Sequence, residues 1–254
     1  MPMPTVVGVG TTVTSLTTAV PPYPAGYTAV ADDIALTFME TESADIPVAP
    51  TNWGILAQAN CTTGTVTKLT CMWRRLTAAE AAPTIADPGN HITARMIIIR
   101  GCATAGNPWE LAPFNTEVIA DTSVSIGGGT TTGANRLICA AFSTGQDIAS
   151  TAGATGWADA TLANVAEQMD DWSVSGTGGG FAMATGEKAV AGVVGPMIAT
   201  LALTANFKAF MYIALREAVD TEPKTALIRS ARPIEGGATS GPYSMPSQST
   251  ILGG

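Results

Sequence analysis

Short apolar runs with a period of two recur along this chain, separated by glycine, proline and asparagine, and that pattern restricts it to β-structure. In TVTKLTCMWRRL, Leu69, Cys71 and Trp73 fall on one face of an extended chain and Lys68, Thr70, Met72 and Arg74 on the other, as in a half-buried strand. Asp33 to Met39 sets Ile34, Leu36 and Phe38 against Ala35, Thr37 and Met39 in the same way, and Trp53 to Ala59 follows. His91 to Arg100 (HITARMIIIR) has the β-branched run of a central strand, entered through the turn residues Ala86-Asp87-Pro88-Gly89-Asn90. Further strands are expected around Glu117–Ile126, Asn135–Phe142, Glu167–Val174, Phe181–Ala184, Lys188–Val194, Ile198–Leu203 and Phe207–Arg216. Gly127 to Gly129, Gly178 to Gly180 and Gly195-Pro196 punctuate them. Roughly nine or ten short strands with regular turn signals specify an all-β fold, an antiparallel β-sandwich of jelly-roll-like type. The single helix candidate is a short one over Thr161 to Gln168.

Two stretches lie outside this pattern. Residues 1–27 are rich in Thr, Pro and Val with a Pro21-Pro22-Tyr23-Pro24 cluster, and 218–254 is rich in Pro and Gly with little alternation. Both read as extended arms flanking a sandwich domain at 28–217, and arms so poor in core-forming residues are expected to be held against neighbouring copies.

Charged residues make up only 13% of the chain, against roughly 25% in an ordinary soluble protein. Thr, Ser, Ala and Gly take their place, giving a surface suited to close contact between subunits. The net charge is −8, no Lys or Arg precedes Lys68, and Arg74-Arg75 is the only adjacent basic pair. A phosphate backbone has nothing to track along such a chain, so nucleic acid is not an expected partner. The N-terminus lacks the basic and apolar regions of a secretory signal. Residues 189–207 are uncharged, but Gly192, Gly195, Pro196 and Asn206 interrupt them, so two strands joined at Gly-Pro are expected rather than a membrane span. Cys61, Cys71, Cys102 and Cys139 form no C-x-x-C pair and read as buried thiols of a protein assembled in a reducing cytoplasm.

Catalytic and metal-binding patterns are weak, and no cofactor is expected. His91 is the only histidine, no nucleophile motif accompanies it, and it reads as a strand-edge residue. The neighbours Asp32-Asp33 and Asp170-Asp171 point to opposite faces of any strand, so they read as solvated loop charges, with a structural calcium as the alternative. The glycine triplets lack the helix and the Lys-Ser/Thr of a phosphate loop, and Asn60-Cys61-Thr62 fits a glycosylation sequon too common by chance to carry weight. Trp73 is expected in the core. Trp157 and Trp172 flank acidic, glycine-rich segments and are the candidates for contact with a glycan.

The segments LTCMWRRLTAAEAAPTIADPGNHITARMIIIRG and FKAFMYIALRE resemble a module of tailed-phage virion proteins that also occurs in secreted bacterial β-sandwich proteins. Its marks are a Trp- or Tyr-bearing strand ending in a polar Arg-Thr segment, an Asp-Pro/Ser-Gly-x-His turn, an Ile-rich strand ending in Arg-Gly and a last strand ending in Ala-Leu-Arg. The likeness covers about three quarters of the chain, roughly 28–217, and leaves both arms out. It implies a virion structural protein on the particle's exterior, either a capsid decoration protein or a compact tail component. Its partners would be copies of itself and other virion proteins, and assembly would occur in the host cytoplasm. A carbohydrate-binding adhesin of a tail fibre or a secreted protein, with a host-surface glycan as partner, is the alternative. No catalytic residue is implied.

Overall fold

The computed structural model describes residues 2–42, 47–62, 66–77, 80–86, 89, 91–149, 152–176, 178–205 and 207–218. The described strands, numbered in chain order, pair antiparallel throughout. A front sheet has the order β1 (Thr5–Val9), β8 (Ile92–Arg100), β4 (Ile34–Thr41), β6 (Thr67–Arg75), β5 (Gly54–Cys61), and β2 (Val13–Ser15) also pairs with β8. A middle sheet runs β10 (Phe114–Glu117), β19 (Lys208–Leu215), β13 (Arg136–Thr144), β16 (Gly179–Lys188), β15 (Ala163–Ser173), with β9 (Trp109–Leu111) also on β19. The back sheet has β11 (Asp121–Ile126), β18 (Met197–Ala205) and β14 (Ala154–Ala158). Two small ribbons join β12 (Gly129–Thr131) to β17 (Gly192–Val194) and β3 (Thr18–Ala19) to β7 (Ile85–Ala86).

The period of two sorts alternate residues of one strand into different cores. Ile34, Leu36, Phe38, Leu69, Cys71, Ile97 and Ile99 of the front sheet meet Cys139, Ala141, Phe181, Met183, Met211 and Ile213 of the middle sheet, which closes the sandwich. From the opposite face of the middle sheet, Ile138, Ala140, Phe142, Phe210 and Tyr212 pack against Val124, Ile126, Met197, Ala199 and Leu201 of the back sheet. All nine residues of β13 are therefore buried. Each large apolar side chain removed from water contributes about 1.5–3 kcal/mol, so the middle sheet is the most heavily stabilised layer. A third core lies on the outer face of the front sheet: Ala35, Met39, Met72, Met96 and Ile98, with Leu76 and Ile85.

What covers that third core is the N-terminal stretch. It is extended, as expected, but it is built into its own chain's fold: Thr5 pairs with Arg100 and Val13 with Ala94, while Val13, Tyr23 and Tyr27 lie over the apolar face. Gly10 donates to the Met96 carbonyl at 2.8 Å, and a Cβ on Gly10 would stand 2.1 Å from the Pro22 carbonyl oxygen, so only glycine lets the strap cross itself there. Two guanidinium groups pin it. Arg100 forms a bidentate pair with Asp33 (2.9 and 2.7 Å), whose other contact is the Tyr27 hydroxyl at 2.8 Å. Arg95 reaches the Gly10 carbonyl at 2.7 Å and Asp171 of β15 at 3.1 Å, and Asp171 also accepts from the Thr12 hydroxyl.

Two local expectations change. Thr161 to Gln168 is not helical: β15 begins at Ala163, with Glu167 opposite Ala184, and pairing with β16 overrides the local preference. β6 is buried on both faces rather than half-buried, because Met72 and Thr70 lie beneath the strap side. The 189–207 run forms β17 and β18 on either side of Gly195-Pro196, as expected, and among the described residues no helix is long and apolar enough to cross a membrane. Most of the 87–90 turn and the C-terminal arm after Ala218 lie outside the described residues.

Candidate functional site

Antiparallel pairing brings the C-terminal ends of β4 and β13 to the same end of the sandwich as the starts of β6, β8 and β16, and there polar side chains face each other between the sheets. Parity explains why. Glu40 continues the inward face of Ile34, Leu36 and Phe38; Thr67 continues that of Leu69 and Cys71; Ser143 continues that of Cys139 and Ala141. The Thr67 hydroxyl donates to Glu40 Oε1 at 2.9 Å and lies 2.9 Å from the Ser143 hydroxyl, joining front to middle sheet. His91 Nε2 lies 2.8 Å from Glu40 Oε2. A Cβ at Gly179 would stand 2.8 Å from Glu40 Oε2, so that glycine, at φ +123°, makes room for the carboxylate.

His91 therefore sits where expected, next to the first residue of β8, but it is buried rather than at an open edge: it is 1% exposed and Glu40 0%. Glu40 orients an imidazole, which is half of a proton relay. The Ser143 hydroxyl is bonded to Thr67 instead of to His91, so the nucleophile–base contact of a hydrolase is not made. Chemically the cluster satisfies four buried polar side chains and locks the two sheets in register.

The expectation of solvated loop charges holds for Asp32, in a turn with its side chain 47% exposed, and is corrected for Asp33 and Asp171. Asp33 and Asp171 are 1% and 6% exposed and act as the anchors of Arg100 and Arg95. Among the described residues no group of three His, Cys, Asp or Glu is placed to hold a metal ion. Lys208, fully buried, is neutralised by Asp121 at 2.7 Å and Glu117 at 3.3 Å, tying β19 to the segment that enters the back sheet. All four thiols are buried, and burial pushes the Cys102 thiol up to about 12.

Trp157 on β14 and Trp172 on β15 are brought together by Phe142, whose ring centroid lies 5.8 and 6.0 Å from theirs. Both are half-buried against the second core. The Trp157 indole donates to Glu167 at 2.9 Å and that of Trp172 to Asp170. Gly153 lies against Trp172 so closely that a Cβ would stand 2.2 Å from its Nε1. Burial raises the Asp170 carboxyl to about 6, although the Trp172 N–H and the Ala154 amide hold it down. Trp73 is partly buried on the first core, edge-on to Trp109 at 4.8 Å.

Sequence reading missed Glu40, Thr67, Ser143, Arg95, Arg100 and Lys208. A signal existed for the first three: each is a polar residue at the end of an apolar-parity row. The others depend on partners 67 to 91 positions away along the chain. In comparisons with protein-family models, with curated proteins and with solved structures, the chain matches none.

Proposed function

We propose that this chain is a virion structural protein, an exterior β-sandwich subunit that assembles with copies of itself and with other virion proteins, as a capsid decoration or a compact tail component. The observation that carries this reading is how the chemically capable groups are used. His91, Glu40, Ser143, Asp33, Asp171 and Lys208 are buried and bonded into clamps between layers or onto the N-terminal strap. Such a molecule acts through its surface. The likeness of residues 69–101 and 207–217 to a phage virion module agrees with it, as does the charge-poor composition. Glycan recognition at Trp157 and Trp172 is the competing reading, and it has to operate with both indole N–H groups already engaged by Glu167 and Asp170.

The test is the mass of the full chain in solution by light scattering, beside a chain ending at Asp220, the last residue of the compact unit. A defined oligomer from the full chain is the expected result. A monomer at every concentration, together with saturable glycan binding that is lost on Trp157→Ala, would replace the structural reading with the adhesin one.

A further inference from the structure

Of the six faces of the three sheets, two meet in the first core, two in the second, and the strap covers the outer front face. Over the outer face of the back sheet the described residues lay no cover. Cross-strand register puts Ser123, Thr200 and Thr155 in one row and Ser125, Ile198 and Ala158 in the next. None of the six is ionisable. Ile198 and Leu203 are each 47% exposed, and Val193, which points away from the core that Val194 joins, is 64% exposed.

We infer that this outer face is an interface for a second copy of the chain, packed sheet on sheet about a two-fold axis. The inference rests on the assembly reading above and deepens it by naming the surface. Charge favours this partner: the chain carries a net −8, and an uncharged face lets two copies meet without apposing like charges. Size favours it too, because serine, threonine and alanine allow a second sheet to approach to about 10 Å, as in sandwiches. A two-fold contact places each surface patch against itself, which a face of neutral hydroxyl and methyl groups tolerates.

Area sets the extent of the footprint. Three strands about 4.8 Å apart present only about 300 Å² over six residues. A stable interface buries about 800 Å² per partner, so the contact must spread beyond the sheet. At one end of the sheet lies a shallow hollow of about 430 Å³ lined mainly by Ala158, Ala160, Pro196 and Ile198, with Asp159 and Thr161 at its wall; near the other, Val118 and Ile119, each 61% exposed, lead into β11 at Asp121, whose charge is paired with Lys208.

The experiment is sedimentation equilibrium of the full chain and of three single variants, Thr200→Arg, Ser123→Arg and Val48→Arg. Thr200 lies on the central strand, so a two-fold axis brings its copies near each other and an arginine there sets like charges together. The full chain is expected to show a dimer or a multiple of it. Thr200→Arg and Ser123→Arg should weaken association a hundred-fold or more while leaving the melting midpoint of the dissociated chain, measured at low concentration, unchanged, and Val48→Arg, on the front-sheet side and 67% exposed, should leave association intact. If the full chain associates and the two back-face variants associate as well as it does, this inference fails while the assembly reading survives. A full chain that stays monomeric at all concentrations overturns both.

Discussion

The outer face of the front sheet and the outer face of the back sheet occupy equivalent positions at the two ends of one stack, and the chain treats them in opposite ways. The front face presents Met39, Met72, Met96 and Ile98 and spends its first thirty residues or so covering them. The back face presents Ser123, Ser125, Thr155 and Thr200 and receives no such layer from the described residues. The difference shows that residue choice on alternate positions decides which sheet faces become interior. It also changes what an N-terminal arm means: a Thr- and Pro-rich stretch with little alternation serves here as a lid on its own core, pinned by Arg95 and Arg100.

The largest test of this contrast is a matched pair of isoleucines. Ile98→Ala, under the strap, should cost about 2–5 kcal/mol in urea unfolding because the cavity cannot collapse between packed layers. Ile198→Ala, on the back face, should change stability by less than about 0.5 kcal/mol at concentrations low enough to keep the chain dissociated. Comparable losses at the two positions under those conditions would show that the chain itself covers the back face.

Next in size is the strap's anchor. Asp33→Ala removes a buried carboxylate that two guanidinium nitrogens and a phenol share, and it should cost about 2–3 kcal/mol, less than a fully buried pair because Arg100 is 46% exposed and regains water. Limited proteolysis should then cut within residues 10–30 before it cuts the sheets. A stabilised variant, or one resistant to cleavage there, would mean that the apolar cover alone holds the strap.

A smaller effect belongs to the tryptophan region. Burial raises Asp170 to about 6 in the folded protein, against roughly 3.9 in an unfolded chain, so the folded state holds this proton more tightly. Its contribution to stability is complete below about pH 4 and is lost as pH rises toward 6. Asp171, also raised by burial, acts in the same direction. Asp170→Asn should therefore flatten, without abolishing, the fall in melting temperature between pH 4 and 6. An unchanged slope would remove Asp170 from the account.

Much of the framework was legible from alternation. The strands expected at 33–39, 91–100 and 135–142 are found at Ile34–Thr41, Ile92–Arg100 and Arg136–Thr144, since runs such as MIII and LICAAF hold a period of two against a core on either side. What alternation does not encode is pairing at a distance. β1 and β2 have weak local patterns and become strands because β8 offers them a free edge, and Gly-containing β14 becomes one because β18 does. The clamps were hidden for the same reason: Asp171 reads as a loop charge until Arg95 and Thr12 arrive from distant parts of the chain. Trp157 and Trp172 were each singled out from their flanking segments, but the ring that joins them, Phe142, belongs to a strand whose inward and outward faces both proved to be core.

Amide hydrogen exchange of the full chain decides whether the N-terminal segment is a structural layer of the fold. Peptides covering residues 5–15 should exchange slowly, in the same class as those of β8, because their amides pair with Ile92–Arg100 and Gly10 donates to Met96. Exchange of 5–15 at the rate of a free chain, with β8 still protected by its β4 partner, would contradict the account and return the segment to the role of a mobile arm.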